Sequence, residues 1–346
     1  MITESKHVIA VPPGETIKEQ ITDRCMTQKE FAARMGMSEK HISNLINGSV
    51  ELTPETAVRL ESVLGIPAAF WNTLEANYRS DRSKAEEENR AEEERKILRD
   101  LPVKEMIKNG WIKPVSADWD KILELRNFFE VSSLTILTGS DSFKHVCFRR
   151  LSNTEKSNWI FLTYWQKARL ESRYADVSDI NLSKLKKSLN QIKQRFVSGP
   201  DMDRLRDLFA SCGISFVVLP NICGSYTQGA SFYDGKKIIL LITARKKDAD
   251  IFLFSLFHEI GHILLGHLGK DKSEETEKEA DSFAEQTLID RKKFEEFANS
   301  GDLTEKAIVH FSELSNVDPG VTVGRLQKYG FIKFNCFNYL KHQISF

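Results

Sequence analysis

From near Asp248 the chain enters a long, mostly apolar run, yet it sets His258, Glu259 and His262 into that run. Ionisable groups in an apolar helix are costly to bury unless they are paired or hold a metal. That requirement constrains the fold more than any other feature. Histidines at i and i+4 stand one above the other on a helix face. Their ring nitrogens then meet one tetrahedral zinc, with positions left for a further ligand and a water. Glu259, beside the first histidine, is placed to take a proton from that water.

A third protein ligand must come from elsewhere. An extended motif that continues the same segment would need glycine at 265 and histidine at 268, but both positions are leucine. The acidic stretch Glu274–Glu285 offers a second helix instead, with Ala280, Phe283, Ala284, Thr287 and Leu288 as its inward face. On ideal helix geometry Glu277 lies about 50° from the centre of that face and Glu279 about 110° away. Glu277 is therefore the expected ligand and Glu279 the second choice. Asp281, one turn after Glu277, is expected to accept an N–H from a ligating imidazole. Glu274, Glu275 and Glu285 read as solvated. His267, five residues after His262, turns off the ligand face and reads as a helix-end or loop histidine. Tyr226, Tyr233 and His310 are candidates for stabilising an oxyanion.

The remaining patterns supply the frame. Ile214–Leu219, Gly229–Tyr233 and Lys237–Ile242 are short strand-like runs, with a tight turn at Asp234-Gly235. A small sheet is expected before the motif helix. Near the N-terminus, Thr27 caps a helix with Glu30 at the reciprocal capping-box position, and Gly36 ends it. Ser38 caps the next, where Ile42, Leu45 and Ile46 face inward. A third follows Thr53-Pro54 with Ala57, Leu60, Val63 and Leu64 inside. Ser80–Arg99 is a run of glutamates and basic residues that reads as a solvated linker helix. Helical periodicity returns at Trp119–Phe129, Trp159–Tyr174 and Leu182–Phe196, without a chemical signature.

The expected class is α+β. Residues 1–79 form an all-α helix-turn-helix domain, 80–100 a charged linker helix, 101–209 a helical middle region, and 210–346 a metal-binding domain with a small sheet and a C-terminal extension. Lys plus Arg and Asp plus Glu both number 49 among 346 residues, so no whole-chain field attracts nucleic acid or lipid. Absence of a long apolar run or signal-peptide pattern, and five scattered cysteines, give a cytoplasmic expectation with no membrane partner.

Residues 211–290, through His258-Glu-Ile-Gly-His-Ile-Leu-Leu-Gly-His267 and Glu277-Lys-Glu-Ala-Asp-Ser-Phe-Ala284, resemble the ImmA/IrrE metallopeptidases. The resemblance implies a zincin-like fold, Zn2+ held by His258, His262 and Glu277, and a catalytic Glu259. It also implies a protein substrate, typically a repressor or other regulator. That family more often carries Asn where this chain has Asp281. Residues 14–78 resemble the helix-turn-helix of Xre/Cro-type regulators, specifically HigA-like antitoxins. The match runs through Thr27-Gln-Lys-Glu-Phe-Ala-Ala-Arg-Met-Gly36, Ser38-Glu-Lys-His-Ile-Ser-Asn-Leu-Ile-Asn-Gly48 and Phe70-Trp71-Asn72. It implies a recognition helix starting at Ser38 that presents Glu39, Lys40 and Asn44 to operator DNA, with Gln28 on a phosphate. Residues 1–80 hold eight basic and ten acidic side chains, which weakens the charge-driven part of DNA affinity; a homodimer would offset this by adding a second half-site. The two halves together imply a zinc endopeptidase coupled to DNA binding that cleaves a repressor, antitoxin or other regulator. The alternative is a regulator or antitoxin whose zincin domain senses or binds a partner and cleaves little.

Overall fold

The computed structural model describes residues 2–138, 147–149, 155–197, 201–245, 248–270 and 273–344. The chain divides into two compact units, Met1–Lys96 with Ala117–Trp119, and Ile97–Ser116 with Asp120–Phe346.

The first unit contains α1 (Pro13–Asp23), α2 (Gln28–Met35), α3 (Glu39–Ile46), α4 (Pro54–Leu64) and α5 (Ala68–Arg90), with an antiparallel ribbon of β1 (Thr3–Glu4) and β2 (Ile9–Ala10). Side-chain caps start three of these helices. The hydroxyls of Thr27, Ser38 and Thr53 accept from the amides of Glu30, His41 and Thr56. The reciprocal half expected at Glu30 is replaced, because its carboxylate takes Arg34 at 2.7 Å one turn later. Ile17, Phe31, Ile42, Leu60 and Trp71 fill the core, and the Trp71 indole donates to the Ile66 carbonyl at 3.2 Å.

The charged segment after residue 80 differs from the expected solvated helix. α5 crosses that position without a break, and α6 (Glu92–Asp100) follows. Ala85, Glu88, Ala91 and Glu94 are buried at intervals of three residues, so one face is covered. Glu88 accepts from the Ser5 hydroxyl at 2.5 Å, the His7 amide at 3.3 Å and His7 Nδ1 at 2.5 Å. A burial stripe of two alanines and two glutamates has little hydrophobic contrast, which is why the charge run concealed it.

The second unit opens with α7 (Val103–Lys108) and most of α8 (Asp118–Phe129). Then come β3 (Cys147–Arg149), α9 (Glu155–Ser172), α10 (Leu182–Val197) and α11 (Met202–Ala210). β4 (Ile214–Pro220), β5 (Gly229–Asp234) and β6 (Lys237–Ala244) precede α12 (Ala249–Leu264) and α13 (Glu274–Leu288). α14 (Arg291–Ala298), α15 (Glu305–Ser315) and α16 (Pro319–Lys328) complete it. The sheet order is β3-β5-β6-β4, with β4 parallel to β6 and the other pairs antiparallel. Asp234 pairs with Lys237 across the two-residue loop Gly235-Lys236, whose glycine has φ of 63°.

Both faces of this sheet are covered, which explains strands that read as continuous apolar runs. Val217, Leu219, Ala230, Phe232, Ile239 and Leu241 pack with Ile160, Phe161, Tyr164 and Ala168 of α9. Phe216, Ile238, Leu240 and Ile242 face the core that holds α10, α11 and α12. The middle region thus contributes an outer layer of this unit. Its Tyr164 hydroxyl accepts from the Ile222 amide and donates to the Pro220 carbonyl, and burial pushes that phenol up to about 12. Cys25, Cys212, Cys223 and Cys336 are free thiols. Among the described residues no helix is long and apolar enough to cross a membrane.

Candidate metal centre

α12 packs against β5, β6, α10, α13 and α16, which buries the polar residues of its motif. His258, Glu259 and His262 are at most 1% exposed. α13 comes close because Gly261 faces it: a side chain there would meet the Ala280 backbone at 3.3 Å and the Phe283 ring at 3.1 Å. This approach carries Glu277 and Asp281, one turn apart, to the two histidines. His258 Nε2 and His262 Nε2 lie 3.1 Å apart. The Glu277 carboxylate lies 3.4 Å from His262 Nε2 and 3.7 Å from His258 Nε2.

The outer partners decide where the ring protons sit. Asp281 Oδ1 lies 2.8 Å from His258 Nδ1; an ionised carboxylate only accepts, so Nδ1–H donates and Nε2 keeps its lone pair. His262 reaches a carboxylate through a second ring. Its Nδ1 lies 3.0 Å from His267 Nδ1, and His267 Nε2 lies 3.0 Å from Glu279 Oε2. Burial pushes His267 down, toward the neutral form. With Nε2–H directed at Glu279, its Nδ1 accepts from His262, which again leaves His262 Nε2 unprotonated. Two lone pairs and a carboxylate therefore converge on one point, an arrangement suited to a cation. A tetrahedral zinc with bonds near 2.0–2.1 Å keeps its ligand atoms about 3.3–3.4 Å apart, and the observed separations bracket that value.

His267 lies past the end of α12 and outside the ligand group, where the chain reverses, and at 4% exposed it holds His262 in place. The reversal comes from Gly266, whose φ of 71° turns the chain back so that the His267 amide bonds the His262 carbonyl at 3.0 Å. A glycine just past the last helical residue was the available signal. Glu279, the second choice for the metal, sits on His267 instead.

Glu259 faces the sheet. The Ser231 hydroxyl donates to its Oε2 at 2.8 Å, and its Oε1 is buried with no hydrogen-bond partner among the described residues. Burial pushes this carboxyl above its ordinary range, against the opposing pull of His262, His258 and Ser231. Gly229 is necessary here, because a Cβ would lie 2.7 Å from Glu259 Cγ. Ser231 escaped sequence reasoning, although Gly229 and Ser231 alternate with the apolar Ala230 and Phe232 as one face of a strand does.

Tyr226 and Tyr233 are 42% and 55% exposed, and Arg245 stacks over Tyr226. His310 is exposed on α15, 4.0 Å from Glu313. Glu285, expected in solvent, accepts from Lys328 and Tyr329 at 2.7 and 2.8 Å. In the first unit, Gln28, Ser38, Glu39 and Lys40 are exposed at the starts of α2 and α3, and Asn44 is half-buried.

Comparison with known proteins matches two segments. Residues 17–71 fit the helix-turn-helix family model, and residues 222–319 fit the model of the IrrE N-terminal-like domain. An uncharacterized HTH-type transcriptional regulator, YddM of Escherichia coli (strain K12), is 33% identical over 63 residues, 18% of this chain and 67% of that protein. A solved addiction module antidote protein of a HigA family from Coxiella burnetii is 23% identical, with a TM-score of 0.22 over 25% of this chain and 94% of its own.

Proposed function

We propose that this chain, which belongs to the helix-turn-helix transcriptional regulators through residues 17–71 and carries an IrrE N-terminal-like domain over residues 222–319, is a zinc-dependent endopeptidase coupled to DNA binding. Residues 1–79 bind operator DNA, 80–100 connect, 101–209 support the sheet, and 210–346 cut a regulatory protein. The observation that carries the reading is the convergence of His258, His262 and Glu277 beside a buried Glu259.

In this reading His258 Nε2, His262 Nε2 and the Glu277 carboxylate hold zinc. Asp281 and the His267–Glu279 pair hold the two rings in orientation. Bound zinc supplies Lewis acidity that polarises a peptide carbonyl and acidifies water. Glu259 removes a proton from the attacking water, whose oxygen joins the carbonyl carbon. The same carboxyl then delivers that proton to the amine as the C–N bond breaks, and Ser231 keeps it pointed at the reacting atoms. Its buried position, with one oxygen held by Ser231 and the other unpartnered among the described residues, suits a group that must take up and return a proton.

On DNA, the exposed Glu39 and Lys40, with Asn44, read base edges from α3, and Gln28 meets a phosphate from α2. Two copies on two half-sites would supply the affinity that a slightly acidic domain lacks. The test of the enzyme is Glu259→Gln. It should retain zinc and lose peptide cleavage by at least about 10²-fold. A zinc-loaded Glu259→Gln protein that still cuts a peptide mixture, read by mass spectrometry, would contradict the assigned role.

A second reading is favoured by the named regulator among its relatives. Here the zinc domain binds a partner and cleaves little. DNA retention unchanged by removal of zinc would support it.

A further inference from the structure

Phe254 lies one turn before His258, its ring 6.5 Å from that imidazole, and it also walls a cavity of about 230 Å³. Ile251 and Phe254 of α12, Leu288 and Ile289 at the end of α13, and Val321 of α16 form its apolar surface. Gln228, the residue before the Gly229 that abuts Glu259, lines it from the other side. Two chain segments of the centre therefore continue directly into this cavity.

The charges around it cancel, and most of their polar atoms are paired. Lys328 pairs with Glu285 at 2.7 Å, and the Arg325 guanidinium donates to the carbonyls of Glu285 and Ile289. Asp250 Oδ2 pairs with Lys341 at 2.8 Å. A lining without net charge favours ions of neither sign, whereas an apolar ligand gains the walls. A dry cavity of about 150 Å³ lined by Leu, Ile and Phe accepts a benzene ring, so 230 Å³ has room for a phenol or an indole. One acceptor and one donor remain: Asp250 is 8% exposed, and its Oδ1, like Arg325 Nε, is buried with no hydrogen-bond partner among the described residues. A buried acceptor without a donor is unfavourable, and the O–H of tyrosine or the N–H of tryptophan would supply one.

We propose that this cavity receives the side chain of a tyrosine or tryptophan beside the bond to be cut, a specificity that rests on the peptidase reading above. Full-length protein, metal-free and zinc-loaded, is titrated with N-acetyl-tryptophanamide, N-acetyl-tyrosinamide, N-acetyl-phenylalaninamide and N-acetyl-alaninamide by ligand-observed NMR. Zinc-loaded protein is also given a peptide mixture. The tryptophan and tyrosine amides should bind in both metal states, the phenylalanine amide about 2- to 10-fold more weakly and the alanine amide not detectably. Filling the cavity with Ile251→Phe, at a half-buried position, or with Val321→Phe should weaken the tryptophan amide about tenfold or more. Cleavage products should carry tyrosine or tryptophan at one fixed position from the cut, and the filled variants should lose that enrichment while retaining zinc. Equal binding of all four amides, binding indifferent to both variants, or cleavage without aromatic enrichment would overturn the proposal. Aromatic binding that the variants abolish, with no cleavage of any peptide, would leave the cavity as an aromatic-binding site and overturn the peptidase reading instead.

Discussion

Glu88 in the first unit and Glu259 in the second are both almost fully buried carboxylates, at 2% and 0% exposed. Around Glu88, burial is outweighed by donors from Ser5 and His7, and its carboxyl is held below the ordinary range. Around Glu259, burial wins over His262, His258 and the lone Ser231 hydroxyl, and the carboxyl is raised. A saturated carboxylate fastens the N-terminal ribbon to a helix and has no capacity left for chemistry. An undersupplied one keeps an oxygen for a reacting group, at a cost in stability that the surrounding apolar layers offset. In the proposed reading, donor count, more than burial, separates the structural carboxylate from the chemical one.

The comparison can be broken most forcibly at Gly229. Gly229→Ala forces Glu259 away from its position, and displacement of about 1 Å costs on the order of 10²-fold in turnover. Zinc content should not change. Wild-type turnover in this variant would show that the position of Glu259 is not critical.

His267→Ala removes the link between His262 and Glu279 without touching a ligand. Zinc affinity should fall about 10- to 100-fold, measured by competition with a chelator. Glu279→Gln should give a smaller loss, because an amide oxygen still accepts from His267.

Glu88→Ala leaves the donors of Ser5 and His7 without their acceptor. It should cost about 1–3 kcal/mol in the first unit, read by hydrogen exchange of α1–α5 in the full chain, with zinc content unaffected. The pH dependence follows in sign. The folded-state pKa of Glu88 is depressed, so its contribution is fully present above the unfolded value and is lost as pH falls through the folded one. Wild type should therefore lose protection in this unit on acidification through and below the usual carboxylate range, and Glu88→Ala should lose less.

Much of this was legible in the chain because it is local. Thr27, Ser38 and Thr53 start helices through their own hydroxyls, and the HExxH spacing aligns two imidazoles whatever surrounds them. The nearness of Glu277 to the two histidines was legible in helix phase, since Ala280 and Ala284 mark the face that meets α12. Features that escaped depend on contacts distant in sequence. His267 is aimed by a left-handed glycine, not by helix phase. Ser231 acts across the sheet on a residue 28 positions later. α9 is buried on nearly every side from Trp159 to Tyr164, so its periodicity did not show which face meets the sheet. Glu285 looked solvated until α16 brought Lys328 and Tyr329 to it.

The central claim is that His258, His262 and Glu277 form one zinc site while Glu279 serves only His267. Metal content by mass spectrometry, on wild type, His262→Ala, Glu277→Ala and Glu279→Ala purified without added metal, tests it most directly. The account predicts about one zinc per chain in wild type, loss in His262→Ala and Glu277→Ala, and retention in Glu279→Ala. No zinc in wild type even when it is supplied, or retention in Glu277→Ala with loss in Glu279→Ala, would contradict it.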